Sequence, residues 1–406
     1  MRRVSAVPLR KNRDFVLFQT GRLLSSAGTA STGIAYPLLV LALTHSAAKA
    51  GIVGFARALP AAAAALPAGL AADRYSRKRL MIAADVVRAL TISALAALVL
   101  AHALSFWAIP LIAFVEGCGA ALFSAAAVGA LRAVVPSSQL PAAVASNTGR
   151  VAAVQVAGPP LGGALFGAAR ALPFLVDAAS YAFSTASLLA MRTPFQEARE
   201  RDPSPLRTRL SEGFRFLWHE PFLRTSAFVF GLLNFTAAGL PFALVVIGRR
   251  QGLSSGEVGL LSAVFGACIL LGSLLSPLVR RRLPTYAVVV LEMWTWCCCA
   301  AFLARPSVYV LAASLVPPAL AIPSTDSVVH ALRIALTPDR LLGRVESVRS
   351  TISVLILPLA PLAAGLLIED VSERAAVGLF TACAFALALW GTLSPAIRIV
   401  PRLESL

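Results

Sequence analysis

The sequence predicts an all-α membrane protein of about twelve transmembrane helices, arranged as two parallel six-helix halves. Three observations carry this reading. Of 406 residues, 58% are apolar and 14% charged, against about a quarter charged in ordinary globular domains. Apolar stretches long enough to cross a bilayer, about 20 residues each, recur along the whole chain. Short motifs also return at one offset of about 200 residues, as an internal repeat requires.

The first six stretches fall at about 15–43, 47–72, 80–102, 106–131, 143–168 and 172–191. The second six fall at about 222–248, 255–279, 284–304, 306–331, 344–368 and 372–395. Residues 1–191 thus form one half, 192–221 a polar linker, and 222–406 the other half. Within the linker, Leu206, Leu210, Phe214 and Leu217 recur at helical spacing opposite Arg207, Arg209, Glu212 and Arg215, which predicts an amphipathic helix on the membrane surface. The halves align through Gly69 with Gly272, an offset of 203, and through Pro136 with Pro338 and Pro159 with Pro361, both at 202. Parallel repeats of this kind place a substrate site near the midplane of the bilayer.

The net charge of +17 would suggest nucleic acid in a soluble chain. Its placement argues otherwise. If the N-terminus is cytoplasmic, the inner segments hold Arg2, Arg3, Arg10, Lys11 and Arg13, then Arg74, Arg77, Lys78 and Arg79, the run from Arg192 to Arg224, and Arg280 to Arg282. The outer segments hold only Lys49, Arg170, Arg249, Arg250, Arg305 and Arg374. This asymmetry predicts both termini inside a cell membrane, with lipid headgroups as the acidic partner. The N-terminal segment lacks the apolar core of a signal peptide. The six cysteines sit in apolar runs without paired spacing and read as small core residues, so neither metal nor cofactor is expected.

Ionisable residues inside spans cost about 2.5–3.5 kcal/mol each on insertion scales, so each is a candidate for function. Glu116 lies about ten residues, roughly 15 Å, into the fourth span and is the leading candidate for binding a proton or a cationic substrate. Burial would make protonation of this carboxylate near neutral pH possible. Arg57 is a deep cation in the second span that needs a partner. Gln19, Arg22, Ser26, Thr29, Gly33 and Tyr36 form a polar stripe on one face of the first span. Asn234 in the seventh span and Ser324, Thr325 and Asp326 in the tenth supply polar groups from the other half. Asp85, Arg88, Arg150 and Arg349 read as gate or anchor residues near span ends, where long side chains snorkel. Asp177 and Glu292 read as packing groups.

The motif Gly69-x-x-x-Asp73-Arg74-x-x-Arg77-Lys78-Arg79, between the second and third spans, closely resembles the signature loop of the major facilitator superfamily. Gly69 would allow close helix approach, and the resemblance implies that the loop acts as a cytoplasmic latch through Asp73. Gly158-Pro159-x-x-Gly162-Gly163 resembles the family's antiporter motif, which marks exporters; its proline removes a backbone donor and bends the helix. Arg13-Asp14-Phe15, Gly21-Arg22-Leu23-Leu24-Ser25, Arg57-Ala58-Leu59-Pro60, Asp85 with Arg88, and Asp177-Ala178-Ala179-Ser180 together resemble the enterobactin-exporter and macrolide-efflux branch. In one departure, Ala113 stands where the family's proton-relay motif has an arginine.

The resemblance implies a monomeric secondary exporter of an amphipathic small molecule, such as a drug, macrolide or siderophore, working by alternating access with proton antiport. A facilitator or importer of the same fold is the alternative, and a membrane sensor that has lost transport is a further one. An enzyme is not expected: the four histidines are scattered, and neither a His-Glu-x-x-His nor a phosphate-binding Gly-x-x-x-x-Gly-Lys loop occurs.

Overall fold

A computed structural model describes residues 8–63, 65–193, 195 and 206–398. Its regular structure is helical throughout the described residues. The first half contains α1 (Arg13–Thr44), α2 (Ala47–Ala63), α3 (Ala65–Arg74), α4 (Arg77–Leu100), α5 (Ala108–Val134), α6 (Leu140–Ala168) and α7 (Leu172–Ala190). There follow α8 (Leu206–His219), α9 (Pro221–Arg250), α10 (Ser255–Arg282), α11 (Thr285–Trp296), α12 (Ala301–Ala304) and α13 (Val308–Ser314). The chain ends in α14 (Val316–Leu336), α15 (Asp339–Leu355), α16 (Leu359–Asp370), α17 (Glu373–Leu393) and α18 (Pro395–Arg398).

Eleven segments among the described residues are long and apolar enough to cross a membrane, so the chain is a multi-pass integral membrane protein. The second expected span is carried by α2 and α3, on either side of residue 64, which lies outside the described residues. Prolines interrupt neither α1 at Pro37 nor α6 at Pro159 and Pro160. Membrane helices tolerate them because side chains and neighbouring helices satisfy the freed carbonyls. Helix ends are set by local chemistry. His45 and His102 adopt φ of 54° and 53° after α1 and α4, and Gly252 closes α9 at φ 88°, with the Leu253 amide reaching back to the Gly248 carbonyl at 3.0 Å. Ser372 caps α17 by accepting from the Ala375 amide at 3.0 Å.

The chain divides into two compact units. The first comprises Met1–Ala42, Ala56–Arg201 and Ser254–Gly259; the second comprises Leu43–Phe55, Asp202–Leu253 and Leu260–Leu406. At one end of the first unit, Phe15, Phe18, Met81, Phe123 and Leu188 pack with alanines of α5 into an apolar core. Residues in the first turns of α4 and α1 tie this end to the segment after α7. Lys78 Nζ donates to the Met191 carbonyl at 2.6 Å, and Asp14 Oδ2 accepts from the backbone amides of Arg192 and Thr193 at 3.1 and 2.7 Å. Asp14→Ala should therefore lower stability by about 1–2 kcal/mol, the worth of losing bonds of this kind. Thermal unfolding in detergent measures it, and an unchanged midpoint would contradict the assignment.

In the second unit, α8 packs along α15. Leu217 is fully buried, a Cβ at Gly213 would lie 2.6 Å from the Arg344 carbonyl oxygen, and Glu212 pairs with Arg344. Part of the apolar face of α8 thus lies against protein. Phe214 and Trp218 remain exposed and stack at 5.4 Å. The side chains of Leu206, Arg207, Arg209 and Leu210 lie outside the described ones.

Candidate functional site

The first unit encloses a network of charged and hydroxyl groups built from five helices. Glu116, on α5, is 1% exposed. Arg57 Nε, from α2, donates to its Oε2 at 2.9 Å, and the Arg88 guanidinium, from α4, donates to its Oε1 at 3.2 Å. The Tyr181 hydroxyl, from α7, donates to the same Oε1 at 3.3 Å. Thr29, on α1, closes the network. Its carbonyl accepts from Arg57 at 3.2 Å, and its hydroxyl meets Arg88 at 3.0 Å and Tyr181 at 2.8 Å.

Each guanidinium also lies over an aromatic face, Arg57 at 5.4 Å from the Tyr36 ring and Arg88 at 4.0 Å from that of Tyr181. Ion pairs removed from water to this degree repay their desolvation only when the remaining donors are satisfied, and here they are so only in part: Arg88 Nε is buried without a hydrogen-bond partner among the described residues. Asp85 faces Arg88 at 3.8 Å. Asp177 accepts from Thr32 Oγ1 at 2.9 Å and Ser180 Oγ at 3.3 Å. Gly28 makes room for it: a Cβ there would stand 2.6 Å from Ser180 Oγ and 3.0 Å from the Asp177 Cα.

Beside the network lies a cavity of about 400 Å³, within the range of small-molecule sites, lined by Arg22, Ser25, Ser26, Thr29, Ala30, Gly33, Arg57, Arg88, Phe123 and Ser124. The polar stripe of α1 divides here. Arg22, Ser26, Thr29 and Gly33 line the cavity, whereas Gln19 does not, and Tyr36 is buried against Phe174 with ring centroids 5.4 Å apart. Glu116 does not line the cavity either, because Arg57 and Arg88 stand between; an open carboxylate awaiting a cationic substrate is not what the structure presents.

The reading of Asp85 and Arg88 as snorkelling span-end groups is overturned. Both are buried, 0% and 4% exposed, and Arg88 lies eleven residues, roughly 16 Å, into α4. Arg349 pairs with Glu346 in the second unit, and Arg150 donates to the Arg22 carbonyl at 3.2 Å and to Ser26 Oγ. Ala113 is buried and apolar, so the cations that meet Glu116 come from α2 and α4. Asn234 and Asp326, on α9 and α14 of the second unit, are both exposed, while Ser324 and Thr325 are buried.

In the signature loop, a Cβ at Gly69 would meet nothing within 4 Å, so among the described residues no helix makes the close approach expected there. The Asp73 side chain lies outside the described ones. Arg74 and Arg79 are exposed, and Arg77 packs over Gly129. The glycines of α6 do make close approaches: Gly158 to Ala30, Gly162 to the Ser31 backbone, and Gly163 to the backbone of Ser255 and Gly259. In the second unit, Gly365 approaches Ala47 and Gly51 in the same manner.

A family model described as Major Facilitator Superfamily matches residues 20–316. The multidrug efflux pump Tap of Mycolicibacterium fortuitum is 28% identical over 228 residues, which cover 54% of this chain and 56% of that protein. The uncharacterized MFS-type transporter YfiS of Bacillus subtilis (strain 168) is 28% identical over 234 residues, 56% of this chain and 54% of that protein. The matched region thus spans about half the length of these curated relatives. Among solved structures, a bacterial homologue of the human lysosomal transporter Spinster gives a TM-score of 0.69 at 17% identity, over 96% of this chain and 98% of that one. A bacterial homologue of the iron transporter ferroportin gives 0.70 at 17% identity, over 94% and 100%. At such identities these two structures share the fold.

Proposed function

Because the chain belongs to the major facilitator superfamily, we propose that it is a secondary active exporter, moving an amphipathic small molecule outward by alternating access while a proton moves inward. The observation that carries this reading is the Arg57–Glu116–Arg88 network beside the cavity of the first unit. A proton delivered to Glu116 would cancel the charge that holds both guanidiniums. Arg57 and Arg88, which already line the cavity, would then be free to engage a cargo. Cargo and proton would in this way be linked through shared partners, as coupling between two sites demands.

Export is supported by the Gly158–Gly163 motif and by the likeness to proteins named multidrug efflux pumps. A drug, macrolide or siderophore is the cargo class proposed, and a facilitator or importer is the alternative. In this reading residues 1–191 and 222–406 are the two halves, joined by 192–221; both termini are cytoplasmic, the protein works as a monomer among membrane lipids, and Asp73 with its basic neighbours acts as the latch.

The test is accumulation of a panel of fluorescent amphipathic drugs in cells with and without the protein. Expressing cells should accumulate less of at least one compound, and a protonophore should erase the difference. Higher accumulation in the expressing cells would reverse the direction and favour the importer.

A further inference from the structure

We infer that the cavity of the first unit holds the anionic group of its cargo, a carboxylate on an amphipathic organic body, with Arg22 as the principal anchor and Arg150 reinforcing it. This rests on the transport reading above and names the chemical class of its cargo. The first observation is the charge of the wall. The ionisable residues lining the cavity are Arg22, Arg57 and Arg88, with no carboxylate among them. Arg57 and Arg88 have Glu116 and Asp85 as counter-charges. Arg22 has none among the described residues, nor does Arg150, whose guanidinium reaches the wall through Ser26 Oγ and the Arg22 carbonyl.

Two guanidiniums of one sign, about nine residues into α1 and ten into α6, are costly in a membrane unless a function needs them. The second observation is unused donor capacity. The Arg22 side chain donates no hydrogen bond to any described residue and only lies over the Phe18 ring at 5.3 Å, although a guanidinium offers five N–H groups in a fork that matches a carboxylate. One turn away, the buried amide nitrogen and oxygen of Gln19 are also unpartnered among the described residues. The third is the rest of the lining: Ala30 and Phe123 give the cavity apolar surface suited to the body of an amphipathic anion. A cationic cargo would meet only like charge.

The probes are 4-phenylbutyrate and 4-phenylbutylamine, of similar body and opposite charge. Binding to the purified full chain is measured by titration calorimetry in phosphatidylcholine nanodiscs. The carboxylate should bind and the amine should not. Arg22→Gln should weaken carboxylate binding about tenfold or more, as loss of a charge-assisted bond does, and Arg150→Gln should weaken it to a smaller degree. Arg22→Lys, which keeps the charge and the fold, should retain intermediate affinity.

Equal binding of the amine, or wild-type affinity in Arg22→Gln, overturns the proposal. So does loss of wild-type binding when phosphatidylglycerol is added, which would assign the site to a lipid headgroup. Should the cell assay show export while no carboxylate binds, the anion site fails and the transport reading stands. Should the carboxylate bind without any export in cells, the reverse holds.

Discussion

Glu116→Ala is expected to destabilise the protein by about 3–5 kcal/mol, the cost of leaving buried charge without its partner. Glu116 is 1% exposed and receives both Arg57 and Arg88 as well as Tyr181. Its removal leaves Arg57 with only the Thr29 carbonyl and the Tyr36 ring, and leaves Arg88 with two hydroxyls and an aspartate at 3.8 Å. A double-variant cycle separates this from ordinary packing loss. Glu116→Met with Arg57→Met should cost less than the sum of the single changes, because the second change removes the cation that the first one strands. Denaturant titration of the detergent-solubilised protein reads all three. Strict additivity, or a Glu116→Ala variant as stable as the parent, would show that the pair is not coupled.

Gly162→Val is the second large effect. A Cβ at Gly162 would stand 2.8 Å from both the Ser31 Cα and Ile34 Cγ2, and closer still to the Ser31 carbonyl oxygen. Side chains can swing away from an added methyl, but a backbone carbonyl in the middle of α1 moves only with its helix. Overpacking ordinarily costs about 1–3 kcal/mol, and two further methyls at a backbone contact should reach the upper end. Since α1 also carries Thr29 and the lining residues of the cavity, its displacement should abolish transport as well. Gly69→Val is the control. With nothing within 4 Å of its Cβ, that change should alter stability by no more than about 1 kcal/mol, the scale of helix propensity. Equal losses at the two positions would mean that helix proximity at α6 is not what the glycines serve.

The fold was legible because its determinants are additive along the chain. Apolar length and the charge of the flanking loops mark each span without reference to any other, so the expected stretches and the observed helices agree to within a few residues, α2 and α3 included. The repeated Pro-x-x-x-Gly of Pro159–Gly163 and Pro361–Gly365 could likewise be read, and both segments make glycine approaches to a neighbouring helix.

The network was only half legible. A carboxylate at Glu116 and a cation at Arg57 announce that each needs a partner, but helical periodicity gives a face and not the neighbour that meets it. Tyr181 carried no signal because a tyrosine in an apolar span reads as packing. Arg88 carried a weak one: it stands eight residues into the stretch expected from residue 80, and its depth of eleven residues follows only from the start of α4 at Arg77. Gly69 erred the other way, since a glycine permits a close approach without requiring one.

In the proposed mechanism a proton gradient drives cargo through a chain whose coupling group is Glu116. This is tested most directly in everted membrane vesicles with an acidified lumen, using a compound that the cell assay shows to be exported. Uptake should follow the gradient, collapse when nigericin dissipates it, and be lost in Glu116→Gln while that variant still exchanges bound for free compound. Uptake that ignores the gradient would rule out proton coupling, and a Glu116→Gln protein that concentrates the compound as the parent does would remove Glu116 from it.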